Sequence, residues 1–342
     1  MIQTNYTLTI VRILACILII WNHLSNNMLD GFLNRWWWSN IGVQIFFFMS
    51  GYLYGGREIG NRKEWMIKQT KKIVKPYYLS LLILIPLVII LDNNSLNILN
   101  VTSAILCVQG FGPQINGLGQ HWFISYILVC YLFTAIILSR LKLKKIDGRK
   151  FWLFFLLATV ALQVLTIPLA ILIHFKSAYI MTFVIGYCYK VRFSDMKNIK
   201  EKNILESIIV IAALLGIAIR YFLENNDFQG LYQDMSDMTK QYIKLIWACA
   251  IFVIINHLIP QKVWDGVSDS VKQKFVVLAG CTYEIYLVHE FFVHEPYISL
   301  FGDINIIYKI LMSLLAIAIA TIVLCQLEKF IQKKTYNASG NK

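Results

Sequence analysis

Residues 11–27 read VRILACILIIWNHLSNN. The unbroken apolar run from Ile13 to Trp21 reads as the core of a membrane helix, bounded by Arg12 on one side and by Asn22 and His23 on the other. A charged residue at the centre of a membrane helix costs about 2.5–3.5 kcal/mol, so such groups turn to a bundle interior or a cavity and mark a functional pathway. Arg12 and His23 are eleven residues apart, which in a helix is three turns plus about 20° and about 16 Å of axial rise. Both side chains therefore lie on one face.

The rest of the chain has the same character. Of 342 residues 58% are hydrophobic and 15% charged, and the mean hydropathy is +0.60. Soluble domains run nearer 45–50% apolar and about 25% charged. No polar block is long enough to fold separately, so residues 1–330 read as one membrane domain followed by a short cytoplasmic tail, 331–342. The net charge of +13 sits in short clusters between apolar runs, the pattern of cytoplasmic loops rather than of a nucleic-acid surface. Seven cysteines fall mostly inside apolar runs with no CxxC pair and read as packing residues. The first span has no small-residue cleavage site after it and reads as uncleaved.

Apolar runs at 7–24, 41–56, 73–91, 121–139, 151–173, 177–191, 204–223, 242–260, 275–293 and 304–327 predict an all-α, polytopic helix bundle of about ten transmembrane helices. Of the 32 Lys and Arg residues, 25 lie in segments 57–75, 140–150, 190–202, 260–274 and 329–342. The intervening loop 92–120 has none, and 224–239 is acidic through Glu224, Asp227, Asp234 and Asp237. By the positive-inside rule both termini are cytoplasmic. Trp36, Trp37 and Trp38 fit an aromatic belt at the outer interface. His23, His121, His289 and His294 then gather at one outer level, with Arg12 toward the inside.

Three stretches carry further chemistry. GVQIFFFMSGYLYGG, 42–56, sets Ser50 beside Gly51, where a glycine permits close backbone approach. KQTKKIVKPYY, 68–78, is a basic run entering the third span at Pro76. CTYEIYLVHEFF, 281–292, places Thr282, Tyr283, Tyr286, His289 and Glu290 at helical spacings, a polar stripe on an apolar helix.

Taken in order, these motifs resemble the acyltransferase-3 family of integral membrane O-acyltransferases, which modify bacterial surface glycans. The resemblance spans essentially the whole chain. It rests on Arg12 and His23 in the first helix, Gly42 to Leu53 in the second, the basic run Lys68 to Tyr77, His-Trp-Phe-Ile at 121–124, and Tyr-x-x-Tyr-Leu-x-His at 283–289. Two features depart from the family pattern: Lys68, Lys71, Lys72 and Lys75 stand where arginines are usual in the basic run, and Glu284 follows Tyr283 where glycine is common. A lysine lacks the planar fork that grips a phosphate bidentately. The chain looks like the stand-alone form, without an extracytoplasmic hydrolase-like domain.

The resemblance implies a bacterial plasma-membrane enzyme that moves an acetyl or other short acyl group from cytoplasmic acetyl-CoA to a hydroxyl of a surface polysaccharide or its lipid-linked precursor. Such a transfer needs a base at the hydroxyl, donors at the oxyanion, and positive charge for the donor's phosphates. His23 is the candidate base, since an imidazole near pKa 6.5 takes a proton at neutral pH, with His289 beside it and Glu290 as an orienting carboxylate in the manner of a triad. Arg12 can polarise the thioester or hold a phosphate oxygen. Lys68, Lys71, Lys72 and Lys75 form the donor entrance, Ser50 is a hydrogen-bond donor or acyl relay, and His121, Trp122, Tyr283 and Tyr286 line the acceptor side. The loops 92–120, with GFGPQINGLGQ at 110–120, and 224–239 are candidates for acceptor selectivity. The histidines have no metal-ligand spacing and no metal is expected.

Plainer readings stand beside these. Arg12 can snorkel to the headgroups, the lysines are also positive-inside anchors, and Ser50 beside Gly51 is a small-residue packing pair. A transporter or flippase for a glycan-lipid or small solute is the competing function. It rests on the short second and sixth spans, because paired short helices can mark a transport site.

Overall fold

The computed structural model describes residues 5–29, 40–92, 95–140, 175–192 and 199–340, with positions 157, 159, 161 and 173. The expected fifth span 151–173, the tryptophans at 36–38, the basic segment from 141 to 150 and His174 lie outside the described residues, apart from those isolated positions. All regular structure among the described residues is helical. In chain order the α-helices are α1 (Tyr6–Met28), α2 (Gly42–Tyr54), α3 (Arg62–Asp92), α4 (Ile98–Ile105), α5 (Trp122–Phe133), α6 (Ser177–Arg192), α7 (Ile199–Glu224), α8 (Leu231–Leu258), α9 (Asp269–Gly280), α10 (Thr282–Val288) and α11 (Ile306–Gly340). Short 3-10 turns cover Gly119–His121, Gln261–Gly266, Glu290–Val293 and Ile298–Phe301, and a π-helical turn covers Thr134–Leu138.

Six described helical stretches are long and apolar enough to cross a membrane: Tyr6–Met28, Arg62–Asp92, Gly119–Leu138, Ile199–Glu224, Met235–Leu258 and Ile306–Lys334. The expected second and sixth spans are helices of 13 and 16 residues, below the usual 17–25. The expected third span begins earlier than its apolar run, because the basic segment is helical and forms the first turns of α3. The expected ninth span is segmented: Cys281 separates α9 from α10, and a 3-10 turn follows His289. Helical bonding still crosses the first break, with the Cys281 N–H on the Val277 carbonyl at 3.2 Å and the Ile285 N–H on the Cys281 carbonyl at 2.9 Å.

The chain forms two compact units. The first comprises Met1–Ala15, Asn40–Arg62 and Leu132–Val276. Its tightest contact is the crossing of α2 and α6, where glycines let the backbones touch. A Cβ added at Gly51 would stand 1.9 Å from the Phe183 carbonyl oxygen, and one at Gly186 would stand 2.0 Å from that of Phe48. Phe48, Tyr189 and Phe252 fill the space beside this crossing, with Phe48 and Phe252 ring centroids 4.8 Å apart. Helices α7 and α8 pack through Gly216, which faces Ile243 and Trp247, while the Trp247 indole N–H donates to the Ala213 carbonyl at 2.8 Å. At the other end of this helix pair, Glu206 is buried and receives the Tyr189 hydroxyl at 2.5 Å and the His257 Nε2 at 2.7 Å, which ties α6, α7 and α8 together.

The second unit comprises Cys16–Ser39, Lys63–Tyr131 and Val277–Lys342. Tyrosines fasten it: Tyr77 and Tyr78 of α3 donate to the Ala104 and Ile105 carbonyls at 2.7 and 2.6 Å, and Tyr283 of α10 donates to the Ile73 carbonyl at 2.8 Å. Each hydroxyl satisfies a carbonyl near a helix end or beside a helix proline, where an unpaired group away from water costs several kcal/mol. Asn27, in the last turn of α1, donates to the Val293 carbonyl at 2.9 Å and fixes that end of the helix to the turn after His289.

Candidate functional site

The site is built where the second half of α1, the Gly119–His121 turn and the end of α10 meet within the second unit. The last polar face of α1 presents His23, whose side chain is 28% exposed. Helix α10 is short, and its polar stripe runs along one side of it: Tyr286 and His289 are one turn apart, and Glu290 opens the following 3-10 turn. The rings of His23 and His289 meet edge to face, with centroids 5.0 Å apart and planes at 72°. His23 Nε2 lies 3.9 Å from Glu290 Oε2, the distance of an ion pair when the imidazole is protonated.

The surrounding carbonyls fix two of the imidazoles. A carbonyl only accepts, so the ring nitrogen facing it carries the proton. His289 Nδ1 therefore donates to the Tyr286 carbonyl at 2.8 Å and its Nε2 holds a lone pair. That Nε2 is buried with no hydrogen-bond partner among the described residues. His121 Nε2 donates to the Leu287 carbonyl at 3.1 Å, leaving its Nδ1 as the buried lone pair. His121 and His289 are 1% and 0% exposed, which removes both from direct contact with water and leaves His23 as the accessible imidazole of the three.

Gln120 organises the same place. Its side-chain amide donates to the Leu287 carbonyl at 2.8 Å, and its backbone carbonyl receives the Tyr286 hydroxyl at 2.6 Å. Beside it, a Cβ at Gly119 would come within 2.8 Å of Glu290 Oε1, so the glycine leaves room for the carboxylate. In the sequence Gly119 and Gln120 stand out only as members of the glycine-rich stretch 110–120, a candidate for acceptor selectivity as a whole. Tyr77 completes the packing, its ring edge-on to His121 at 5.0 Å.

Five of the expected site residues are thus gathered in one network: His23, His121, Tyr286, His289 and Glu290. Tyr283 serves a different purpose, holding α10 to α3 at Ile73. Trp122 is half-buried and packs edge-on against Phe123 and Tyr126. Lys68, Lys71, Lys72 and Lys75 are all exposed and recur at three and four residues along α3, so they form one basic stripe. Ile73, whose carbonyl receives the Tyr283 hydroxyl, lies on the other side of α3 from this stripe, so α10 is held to the helix that carries the lysines at its first turn and reaches the histidine pair at its end. The rise from residue 283 to 289 is about 9 Å. Arg12 and Ser50 are half-buried in the first unit, on α1 and α2. His294 bonds the Glu295 carbonyl at 2.7 Å.

A family model described as an acyltransferase domain matches residues 5–327, nearly the whole chain. The chain belongs to the acyltransferase-3 family. With its long apolar helices it is a multi-pass membrane acyltransferase. No curated protein and no solved structure matches it. For an acyltransferase the gathered groups have matching chemistry. The site offers an accessible imidazole able to take a hydroxyl proton, a carboxylate within ion-pair reach to stabilise the resulting cation, and two buried imidazoles in fixed tautomers behind them.

Proposed function

We propose that this acyltransferase moves a short acyl group, acetyl in the simplest case, from acyl-CoA to a hydroxyl of a cell-surface glycan or its lipid-linked precursor in a bacterial plasma membrane. The observation that carries the reading is His23 within ion-pair distance of Glu290, in a chain of this family. His23 takes the proton of the acceptor hydroxyl as its oxygen attacks the thioester carbonyl. The C–O bond forms, the C–S bond breaks, and the departing thiolate is neutralised by the proton from the imidazolium, which Glu290 stabilises meanwhile. The exposed lysines of α3 receive the phosphates of the donor. Arg12, eleven residues before His23 on α1, is assigned to the donor end, and Ser50 to hydrogen bonding near the acyl group.

The topology proposed with this reaction has ten spans with both termini inside. It sets the basic stripe at the cytoplasmic face, where acyl-CoA is found, and His23 toward the outer face. Loop charge supports it through the basic segments near 57–75 and 260–274, the stretch 92–120 without Lys or Arg, and the acidic stretch 224–239.

The test is the ester content of surface glycans in cells carrying wild type or His23→Ala at equal protein level. General-base catalysis is worth about 10²–10⁴-fold, so ester is expected to fall to the level of cells without the gene. Equal ester in both would overturn the proposal. The two short helices α2 and α6 favour the transporter reading, and substrate accumulation without consumption of acyl-CoA would support that instead.

A further inference from the structure

A cavity of about 380 Å³ lies beside the end of α1, wholly within the second unit. Its walls come from the last turn of α1, the 3-10 turn Ile298–Phe301 and the first turn of α11. His23 and Asn27 are four residues apart on α1, so they share a face with about 6 Å of rise between them. The Asn27 side chain lines the cavity and donates to the Val293 carbonyl at 2.9 Å, and Val293 closes the 3-10 turn that Glu290 opens. One residue thus ties the cavity to both His23 and Glu290. Beyond Val293 the chain is extended at His294 and reaches Glu295, whose carboxylate accepts from the Ser299 hydroxyl. Gly302, at φ +49, then turns the chain in a conformation that suits glycine, and Asp303 and Lys309 complete the cavity.

The lining decides what chemistry fits. Two carboxylates, an ammonium, a hydroxyl and an amide face a space shared with the apolar side chains of Met28, Ile298 and Ile306. Small-molecule sites commonly enclose about 300–1,000 Å³ but are lined mostly by apolar groups. This one is rich in hydrogen-bonding groups instead. An acyl chain or lipid tail placed here would strip those groups of water without replacing their bonds, which is costly. A phosphate would meet two carboxylates against a single ammonium. Sugar hydroxyls suit both kinds of group, because each donates to a carboxylate and accepts from an amide or ammonium, while ring C–H faces can rest on the isoleucines.

Charge narrows the ligand further. Glu295 and Asp303 outnumber Lys309 by one, and Glu290 stands only five residues before Glu295, so a sugar acid is repelled. The bland alternative is a solvent-filled hollow between helix ends, which would have no preference among sugars. We propose that this cavity binds a sugar unit without negative charge and is the acceptor subsite, presenting a neighbouring hydroxyl to His23. The acceptor role rests on the acyl-transfer reading above, whereas the binding of sugar does not. None of the lining residues comes from 92–120 or 224–239, the loops that the sequence offers for acceptor selectivity.

The probe is the surface glycan of cells that carry the gene, stripped of esters by mild alkali, cut to oligosaccharides and divided by anion exchange into a neutral and an anionic pool. The full chain in detergent is first tested without acyl-CoA. A cysteine at the exposed position Ser299, Ser299→Cys, is expected to lose most of its maleimide labelling when the neutral pool is added and to keep it with the anionic pool. The same protection is expected when His23→Ala is combined with it. Asp227→Cys, in the acidic loop, is expected to label equally with and without glycan. With radiolabelled acetyl-CoA, Asp303→Asn is expected to raise the KM for the neutral pool about tenfold at unchanged kcat, the mark of lost binding rather than lost chemistry. Asp303→Lys, which reverses the excess charge, is expected to let the anionic pool protect Ser299→Cys. No protection of Ser299→Cys, protection by the anionic pool in the absence of Asp303→Lys, or protection of Asp227→Cys instead would overturn the subsite. Protection without any ester formed by the wild type would uphold sugar binding and sink acyl transfer; ester formation without protection would sink the subsite alone.

Discussion

At the scale of single residues the candidate site depends on a glycine as much as on its ionisable groups. Glu290 holds its place near His23 because Gly119 has no side chain, with 2.8 Å between a built Cβ and Glu290 Oε1. The carboxylate is the end of a flexible chain, so Gly119→Ala displaces it without unpacking the backbone. The expected result is a protein of unchanged thermal stability whose ester formation falls about tenfold, the loss of about 1.4 kcal/mol of transition-state stabilisation. Gly119 acts through Glu290, so shortening that acid in the same background, Gly119→Ala with Glu290→Asp, is expected to recover part of the rate. Wild-type ester formation by Gly119→Ala would refute the positioning role. Such a role was not legible in the sequence, where Gly119 and Gln120 are two members of a glycine-rich loop whose meaning is tertiary. His23, His289 and Glu290 were legible, because ionisable groups are expensive in an apolar run and each stood out against its neighbours.

At the scale of elements, the pairing of α2 with α6 rests on a glycine from each helix set against the other's carbonyl. Small residues at a helix crossing let backbones approach closely, and in lipid such packing takes the place of the hydrophobic drive between helices. At 1.9 and 2.0 Å the obstruction is backbone, which cannot swing aside, so the helices must separate. Gly51→Ala and Gly186→Ala are each expected to destabilise the protein by about 1–3 kcal/mol, the usual cost of overpacking, seen as a lower unfolding midpoint in detergent. Gly60→Ala, with open space around it, is the control and is expected to leave the midpoint unchanged. The Ser50-Gly51 pair was recognisable as a packing signal, but its partner Gly186 sits in a run with no matching motif. The lysine stripe teaches the converse. Its spacing along the sequence already described a helical face, yet the apolar run alone placed the start of the third span eleven residues after the start of α3.

At the scale of the whole molecule, six described stretches satisfy length and hydropathy, while the ten-span topology leans on loop charge. A 13-residue helix such as α2 rises about 20 Å, short of a hydrocarbon core of about 30 Å. Apolar length therefore could not decide whether such elements cross, and charge alternation carried that step. The alternation makes a direct prediction about sidedness. Lys63 and Lys274 belong to basic segments assigned to the cytoplasm, whereas Asn116 and Asp227 belong to the loop without Lys or Arg and the acidic loop assigned outside, and all four are exposed. Five native cysteines are buried and Cys281 and Cys325 are half-buried, so single cysteines introduced at exposed positions can be read against the unmodified chain as background. In intact cells a membrane-impermeant maleimide is expected to label Asn116→Cys and Asp227→Cys, and to label Lys63→Cys and Lys274→Cys only after lysis. Labelling of the lysine positions in intact cells would reverse the orientation. Labelling of Lys63→Cys and Asp227→Cys from the same side would break the alternation and remove a span between them. Either outcome would move the α3 lysines away from cytoplasmic acyl-CoA or leave the side of His23 undefined, so the topology bears directly on how a donor and an acceptor from opposite faces could meet.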